Sequence, residues 1–506
     1  MPSYKVKVKW GKEMFPDVEV NTEEDPLLFK AQLFALTGVQ PNRQKVMVKG
    51  MTLKDSEWGN LPLKDASIGA MVLLMGSKEE DVPSEPAVKP VFMEDMNESE
   101  LATAMDLPAG LTNLGNTCYL NATVQCLKTV PELRDGLQNF EASVGGGSFV
   151  PSQSITVALR DLYAMMDRGA SFSPLILLQV LRLAFPRFAE KGAGGVYMQQ
   201  DANECWTELI RMLQQKLPSK PVEGAKYQPK SLIEQYFGGK FEVEYKCNEA
   251  TEEEPTRSEE DFLQLSCFIS QDVRYMLSGL RSKLQEHITK NSPTLGRDAV
   301  YTKTSKISRL PAYLTVQFVR FYYKERESVN AKILKDVKFP MEFDAVELCT
   351  QELQDKLAPM RDRFKQLEDK KVEEQLNLKD KKAGDSKIKT RKEPYWLEND
   401  LGSNNSGYYT LQAVLTHRGR SSSSGHYVGW VRQSDNTWLM CDDDKVTPVS
   451  AEDILKLSGG GDWHCAYVLL YGPRILEIPE GMDLSPAEAE KGVEKMETEN
   501  TSSTQQ

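Results

Sequence analysis

A cysteine stands where a Gly-Asn-Thr turn gives way to a helical pattern, in the segment NLGNTCYLNATVQCL at residues 113–127. Apolar residues recur at helical spacing after the turn, which places Cys118 at or next to the first helical position, with Asn116 or Thr117 as the candidate cap. A helix N-terminus favours thiolate over thiol. Cys126, two turns inside the helix, is expected to pack. Cys118 is therefore either a nucleophile or a buried thiol.

A nucleophilic thiol needs a base, and the chain contains four histidines. His287 lies in LQEHITK, which we predict to be a polar helix. His426 follows a serine run and begins an alternating strand, GHYVGWVR. A second strand, TWLMCDD, is expected to return after the turn-forming QSDN and to bring Asp442, Asp443 or Asp444 alongside His426. The carboxylate would fix the tautomer that accepts the thiol proton. An ordinary edge hairpin with a solvated acidic turn is the alternative.

Acyl transfer also requires donors for the oxyanion. Asn113 lies in the turn before Cys118 and can aim its side-chain amide at the attacked carbonyl. The backbone N–H of Cys118 would be the second donor. Loss of one such donor typically costs about 10² to 10³ in rate.

The whole chain has 506 residues, of which 40% are hydrophobic, and its length predicts two or more domains. No apolar run approaches the ~20 residues of a membrane-spanning helix. A net charge of −12 argues against nucleic-acid binding and favours a neutral or basic protein partner. The eight cysteines form no C-x-x-C pair, which predicts a reducing compartment, the cytosol or nucleus.

The N-terminal segment, residues 1–76, reads as a β-hairpin, a helix capped by Asp25, and further strands. This order resembles the ubiquitin-like β-grasp domain. Gly76 continues into Ser77, so the segment is expected to recognise a partner and not to be conjugated. In the strand at 45–49, Met47 is predicted to point outward, where the resemblance places ubiquitin's apolar binding patch. A single surface methionine of no consequence is the alternative.

Composition divides the rest of the chain. Residues 77–107 are predicted to be a flexible linker, 108–478 a catalytic domain and 479–506 a disordered tail. Within the catalytic domain, residues 248–261 read as an acidic loop. The stretch 361–392 begins as a charged helix and then loses its pattern. We interpret both as solvated surface insertions.

Several ordered motifs resemble those of the ubiquitin-specific proteases: GLTNLGNTCYLNATVQCL, then QQDANE, LPAYLTVQFVRFYY, GHYVGWVR, DDDKV and AYVLLY. They span nearly all of the predicted catalytic domain. The resemblance implies an α+β, papain-like fold with fingers, palm and thumb. It also implies that Cys118 is the nucleophile, His426 the general base, Asp442 the residue that orients His426, and Asn113 the oxyanion donor.

The resemblance further implies a channel for the C-terminal tail of ubiquitin. Gln200 and Asp201 are predicted to line it, and Ser423 and Ser424 are predicted to contact substrate from the serine run. That run and a second loop at 321–335 are expected to lie over the channel until the proteasome binds. An ordinary hairpin loop is the alternative reading of the serine run.

Many members of this family bind zinc in the fingers through two C-x-x-C pairs. The corresponding region here has only Cys247 and Cys267, and two lone thiols cannot complete a tetrahedral site. We therefore predict no structural zinc and no other cofactor.

The sequence thus predicts a cysteine-dependent deubiquitinase that cleaves at the C-terminal glycine of ubiquitin. Its partners would be ubiquitin, ubiquitin chains and, through residues 1–76, the regulatory particle of the 26S proteasome. We expect a monomer when free, located in the cytoplasm and, as a second place, the nucleus. The alternatives are a non-catalytic ubiquitin-binding adaptor and a cysteine-dependent acyltransferase. The acyltransferase has no reason to carry the QQDANE motif.

Overall fold

The computed structural model describes residues 3–59, 70–78, 107–142, 149–167, 171–192, 194–221, 224, 227–324, 329–377, 389–421, 424–434, 436–461, 463–482 and 484. The chain divides into two compact units, residues 1–96 and 97–506. Most of the predicted linker and most of the predicted tail lie outside the described residues. Among the described residues, no helix is both long enough and apolar enough to cross a membrane.

The first unit is a β-grasp. Its elements are β1 Ser3–Trp10, β2 Glu13–Asn21, α1 Pro26–Thr37, β3 Lys45–Val48, β4 Met51–Thr52 and β5 Ala70–Met75. The strand order is β2-β1-β5-β3-β4, with β1 parallel to β5. The carboxylate of Asp25 accepts the N–H of Leu27 at 2.9 Å, and Gly38 ends the helix at φ 74°. The predicted hairpin, helix and cap are confirmed.

The outer face of this sheet carries apolar side chains. Val46 and Val48 are buried, whereas Met47 between them is half-buried, so its predicted outward direction is confirmed. Met47 pairs with Leu73 on β5, and its neighbour Met71 is 52% exposed. We call this set of outward residues, Met47, Met71, Leu73 and Met75, the methionine face.

Helices gather in the first half of the second unit. The described ones are α2 Cys118–Leu127, α3 Pro131–Gln138, α4 Pro151–Met166, α5 Leu175–Ala184, α6 Ala202–Gln214, α7 Leu232–Phe237, α8 Met276–Leu284, α9 Gln351–Asn377 and α10 Ala451–Leu455. Helix α2 is buried along its whole length, which lets the surrounding helices fix its N-terminus.

The described strands of this unit form two large sheets and two small, two-stranded ones, β12–β13 and β15–β21 in the numbering that follows. They are β6 Gly239–Cys247, β7 Thr256–Phe262, β8 Leu265–Phe268, β9 Gln285–Ser292, β10 Arg297–Arg309, β11 Leu314–Val319, β12 Phe321–Lys324, β13 Val329–Lys332, β14 Glu342–Asp344, β15 Thr390–Lys392, β16 Tyr408–Ser421, β17 Ser424–Arg432, β18 Thr437–Asp442, β19 Lys445–Ser450, β20 Cys465–Pro473 and β21 Glu477–Pro479.

The larger sheet has the order β19-β18-β17-β16-β20-β11-β8, with β14 added to β16. Some of its apolar side chains pack in the cluster that contains α2, and the others form a second cluster with α8 and α9. We call the second sheet, β7-β6-β10-β9, the finger sheet. The fingertip is the turn 248–255 between β6 and β7 together with the ends of β9 and β10 that contact it. This mixture of helices and sheets is the predicted α+β protease fold.

Three local predictions are wrong. His287 lies on strand β9, which pairs with β10 along its length, so LQEHITK is not a helix. The last six residues of the acidic loop 248–261 belong to strand β7, which pairs with β6 at the edge of the finger sheet although its side chains are mostly exposed. The charged helix begins at Gln351, ten residues before the predicted start, and buries Leu357 and Phe364. It is therefore a packed element and not a solvated insertion.

Candidate active site

Cys118 is the first residue of α2 and is 2% exposed. Thr117 occupies the N-cap position but makes no side-chain cap bond to the helix, since its hydroxyl accepts the N–H of Leu114 at 2.9 Å. Asn116 has a φ of 55°, so the chain turns sharply just before the helix. The thiol therefore lies at the positive end of a helix whose first N–H groups have no side-chain cap.

His426 and Asp442 lie on neighbouring strands, β17 and β18, joined by the predicted turn. The Nε2 atom of His426 is 2.5 Å from Oδ1 of Asp442. The hairpin packs directly on α2, since a Cβ added to Gly429 would stand 3.2 Å from the carbonyl oxygen of Ala122. Glycine at this position lets strand and helix approach closely, which brings the imidazole to the thiol.

The charge of the site is concentrated on His426. The carboxylate of Asp442 first, and then the nearby Cys118 side chain, raise the pKa of His426 to about 10. Conversely, the hydrogen bond from His426 lowers the pKa of Asp442. Burial lowers the pKa of His417 to about 3 and that of His464 to about 4. At neutral pH His426 is therefore an imidazolium, with its second nitrogen available to Cys118.

Two further donors approach the sulfur atom of Cys118. The side-chain Nε2 of Gln199 lies 3.1 Å from Sγ, and the backbone N–H of Tyr427 points at Sγ from 3.4 Å. Gln199 was not among the sequence-predicted site residues. It directly precedes Gln200 and Asp201, which were, so the motif was found but its sulfur-contacting residue was missed.

Asn113 does not face the thiol in this structure. Its amide Nδ2 donates to Oδ2 of Asp443 at 2.9 Å, and Asn121 donates to the other oxygen of Asp443 at 2.8 Å. The backbone N–H of Leu111 donates to the carbonyl of Asp443 at 2.7 Å. Asp443 thus ties the turn before Cys118 to the catalytic hairpin. Asn113 is exposed, and its role as oxyanion donor remains a prediction that requires its amide to leave Asp443.

Asp201 is mostly engaged in holding the fold. Its carboxylate caps α6 by accepting the N–H groups of Asn203 at 2.8 Å and Glu204 at 3.1 Å. The hydroxyl of Tyr467 donates to both carboxylate oxygens. Burial raises the pKa of Asp201. Gln200, next to it, is half-buried. Their contact with the ubiquitin tail stays a prediction.

The serine run adjoins His417. Ser424 is exposed, and its carbonyl oxygen lies 3.0 Å from Nε2 of His417. Ser423 lies outside the described residues. The hairpin β12–β13 contacts the same histidine, because Lys332 donates to the carbonyl of His417 at 2.5 Å and the ring of Phe321 stands edge-on to its imidazole. His417 therefore touches both segments that the sequence predicts to cover the tail channel.

One group of side chains in the described residues has the donor types and spacing that could hold a metal ion: His426, Asp442 and Asp443. Two of these already form the hydrogen-bonded pair described above. Cys247 and Cys267 belong to two different hydrophobic clusters, so the two finger thiols do not form the beginning of a zinc site.

Comparison with known proteins agrees with this geometry. A family profile described as "Ubiquitin carboxyl-terminal hydrolase" matches residues 109–471. The chain belongs to the ubiquitin carboxyl-terminal hydrolase family. It is 40% identical to ubiquitin carboxyl-terminal hydrolase 7 of Arabidopsis thaliana, with 94% of this chain and 99% of the relative covered. It is 41% identical to ubiquitin carboxyl-terminal hydrolase 14 of Caenorhabditis elegans, with 94% of each covered.

Membership of this family decides between the three functions that the sequence left open. The hydrolase is a cysteine-type deubiquitinase, and ubiquitin is its substrate. The adaptor and acyltransferase readings lose their support, since the relatives are named as hydrolases over nearly their full lengths.

Proposed function

We propose that this hydrolase trims ubiquitin from conjugates held at the regulatory particle of the proteasome, using Cys118 as nucleophile and residues 1–76 as the docking module. The observation that carries the catalytic part is the arrangement around His426, which bonds Asp442 through Nε2, while the backbone N–H of the next residue, Tyr427, points at the sulfur of Cys118. A chain that only gripped ubiquitin would have no use for it.

The reaction begins from a thiolate of Cys118 and the imidazolium of His426. The sulfur attacks the carbonyl carbon of ubiquitin's terminal glycine, and the C=O electron pair moves onto oxygen. When the tetrahedral intermediate collapses, the C–N bond breaks and His426 gives its proton to the leaving lysine amine. Asp442 keeps the ring oriented and stabilises its positive charge.

Water then attacks the thioester that joins Cys118 to ubiquitin. His426, now neutral, accepts a proton from that water, and the C–S bond breaks with its electron pair returning to sulfur. This restores the thiolate–imidazolium pair and releases ubiquitin with a free carboxyl group. The terminal Gly-Gly of ubiquitin suits a site whose nucleophile is 2% exposed, because glycines add no side-chain bulk.

The methionine face supports a docking role for the first unit. Its apolar residues pair across the sheet with lysines, since Lys7 lies opposite Met71 and Lys45 opposite Met75. An apolar centre with a basic border fits a partner surface with an apolar spot and acidic residues around it. We assign this partner to the proteasome regulatory particle, which places the hydrolase in the cytoplasm and nucleus.

We further propose that the serine run and the hairpin β12–β13 restrain the free enzyme. The buried state of Cys118 and the contacts that both segments make with His417 support this. Binding to the proteasome would release these contacts and open the path for the ubiquitin tail. Ser424, and Ser423 beside it, would then meet the substrate.

Labelling with ubiquitin that carries a C-terminal electrophile tests the catalytic part. Wild-type enzyme should form a covalent adduct, faster with the regulatory particle present, and Cys118→Ala should form none. Cys126→Ala is the matched control, because Cys126 lies on the same helix and packs in the core. Failure of the wild type to label with the particle present would contradict the proposal.

Co-sedimentation with the regulatory particle tests the docking part. Met47→Glu should weaken binding, whereas Leu36→Glu, an exposed residue on α1, should not. Both variants should hydrolyse a fluorogenic ubiquitin substrate at the unstimulated rate. Equal binding by the two variants would remove the methionine face from the docking proposal.

A further inference from the structure

Gln199 lies next to Cys118 but has no role in the mechanism described above. Its side chain is 7% exposed, and its amide Nε2 lies 3.1 Å from the sulfur of Cys118. Nitrogen of a primary amide is a donor, so it points an N–H at the atom that carries the negative charge before attack. A buried amide that donates to the nucleophile affects the reaction directly.

Two anchors hold Gln199 in this position. On its N-terminal side, the side-chain amide of Asn116 donates to the carbonyl of Tyr197 at 2.9 Å, which ties the turn before Cys118 to the segment before Gln199. On its C-terminal side, Asp201 is fixed by the N-cap of α6 and by the hydroxyl of Tyr467. The backbone is therefore fixed on both sides of Gln199, to the turn before Cys118 on one side and to the larger sheet on the other.

The sequence-predicted oxyanion donor is occupied elsewhere. Asn113 gives its amide to Asp443. For Asn113 to serve the oxyanion, its hydrogen bond to the carboxylate of Asp443 has to break first. Gln199 needs no such release, because it already donates to a reacting atom.

We propose that Gln199 is a catalytic residue that donates to the Cys118 thiolate in the resting enzyme and to the oxyanion in the tetrahedral intermediate. When sulfur bonds to the glycine carbonyl carbon, the negative charge passes from sulfur to the carbonyl oxygen two bonds away. The N–H of Gln199 follows that charge by a small rotation of its side chain. No proton is transferred, so Gln199 acts only through hydrogen bonding. This inference rests on Cys118 being the nucleophile, as proposed above.

The decisive variant is Gln199→Met, which keeps the side-chain length and removes the donor. With a fluorogenic ubiquitin substrate, kcat should fall by about 10² to 10³ while KM changes little, because the lost donor serves the reacting atoms and not the binding of folded ubiquitin. Gln199→Glu should lose at least as much, because its carboxylate repels the thiolate. The control is Gln215→Ala, an exposed glutamine at the far end of α6, which should keep the wild-type rate.

A second measurement separates this role from a structural one. The rate of alkylation of Cys118 by iodoacetamide follows its thiolate fraction, so in Gln199→Met the pH midpoint of alkylation should rise. A melting temperature near that of wild type should accompany it. A kcat within about twofold of wild type, or an unchanged alkylation midpoint, would overturn the proposal for Gln199.

Cys118→Ala distinguishes failure of this inference from failure of the proposed function. If Cys118→Ala still turns over substrate, the nucleophile assignment fails and the Gln199 proposal fails with it. If Cys118→Ala is inactive and Gln199→Met is fully active, only the Gln199 proposal fails.

Discussion

The catalytic hairpin and the fingertip both use a carboxylate to hold β-strands together, but the partners of that carboxylate differ. Asp442 pairs with the titratable ring of His426. Glu253, at the fingertip, accepts hydrogen bonds from the hydroxyls of Ser292 and Tyr301. In the hairpin the partner changes charge during the reaction, whereas the fingertip partners keep theirs. The same kind of contact supports chemistry in one place and shape in the other.

The two regions also differ in their response to pH, because the hairpin alone has an alkaline limit. The pKa of His426 is raised to about 10, so its contribution is fully present below pH 6.5 while Asp442 stays ionised, and it is lost as pH rises through 10. Hydrogen bonds from Ser292 and then Tyr301 lower the pKa of Glu253, so its contribution is present above its ordinary value of 4.5 and is lost as pH falls below it. Alkali should therefore weaken the hairpin first, and acid the fingertip.

The largest effect is expected from Asp442→Asn. It removes the main cause of the raised pKa of His426 and leaves the ring in a mixture of orientations, so kcat should fall by about 10² to 10⁴. The alkaline limb of the kcat/KM profile should move to lower pH, because the imidazolium is lost earlier. Asp444→Asn, an exposed neighbour, is the control. An alkaline limb at the same pH as in wild type would contradict the view that Asp442 raises the pKa of His426.

A smaller effect is expected at the fingertip from Glu253→Gln. The fingertip belongs to the finger sheet, whereas the thiol lies on α2 and His426 and Asp442 lie on the larger sheet, so kcat should change by less than about threefold. The variant should lose hydrogen-exchange protection at the ends of β9 and β10 and should not show the further loss of protection in acid that we expect of wild type. A drop in kcat as large as that of Asp442→Asn would contradict the division of roles.

The smallest effect is expected from metal removal. Cys247 packs with Ala250 and Tyr301 at the fingertip, whereas Cys267 packs in the cluster of the larger sheet. Because the two thiols do not share a site, prolonged dialysis against a chelator should leave both the melting temperature and the kcat unchanged. Stoichiometric zinc in the purified protein would contradict this prediction. It would also contradict the view that the carboxylate of Glu253 holds the fingertip without a metal ion.

Much of the site could be predicted from local patterns. The helix that begins at Cys118 and the hairpin that joins His426 to Asp442 are encoded by spacing and turn residues, and both are found in the structure. Local patterns could not predict which way a side chain points. The amide of Asn113 turns to Asp443 because a carboxylate from a segment 330 residues later is a stronger acceptor than the neighbouring sulfur.

The incorrect predictions have a related physical cause. The polar strands β7 and β9 are held by backbone pairing with β6 and β10, which their own residues do not reveal. The many charged residues of α9 concealed its apolar side. Gln199 was missed because its proposed role depends on the fold, which brings its side chain to Cys118, 81 positions earlier in the sequence. Contacts that are distant in sequence decide these cases.

Asp443 joins the two ends of the catalytic unit through Leu111, Asn113 and Asn121. During synthesis the segment with the nucleophile leaves the ribosome hundreds of residues before the strand that supplies this clasp. A nascent or C-terminally truncated chain therefore exposes Cys118 without the imidazole and carboxylate that activate it. On the proposed mechanism, a chain that ends before Asp442 therefore has no protease activity.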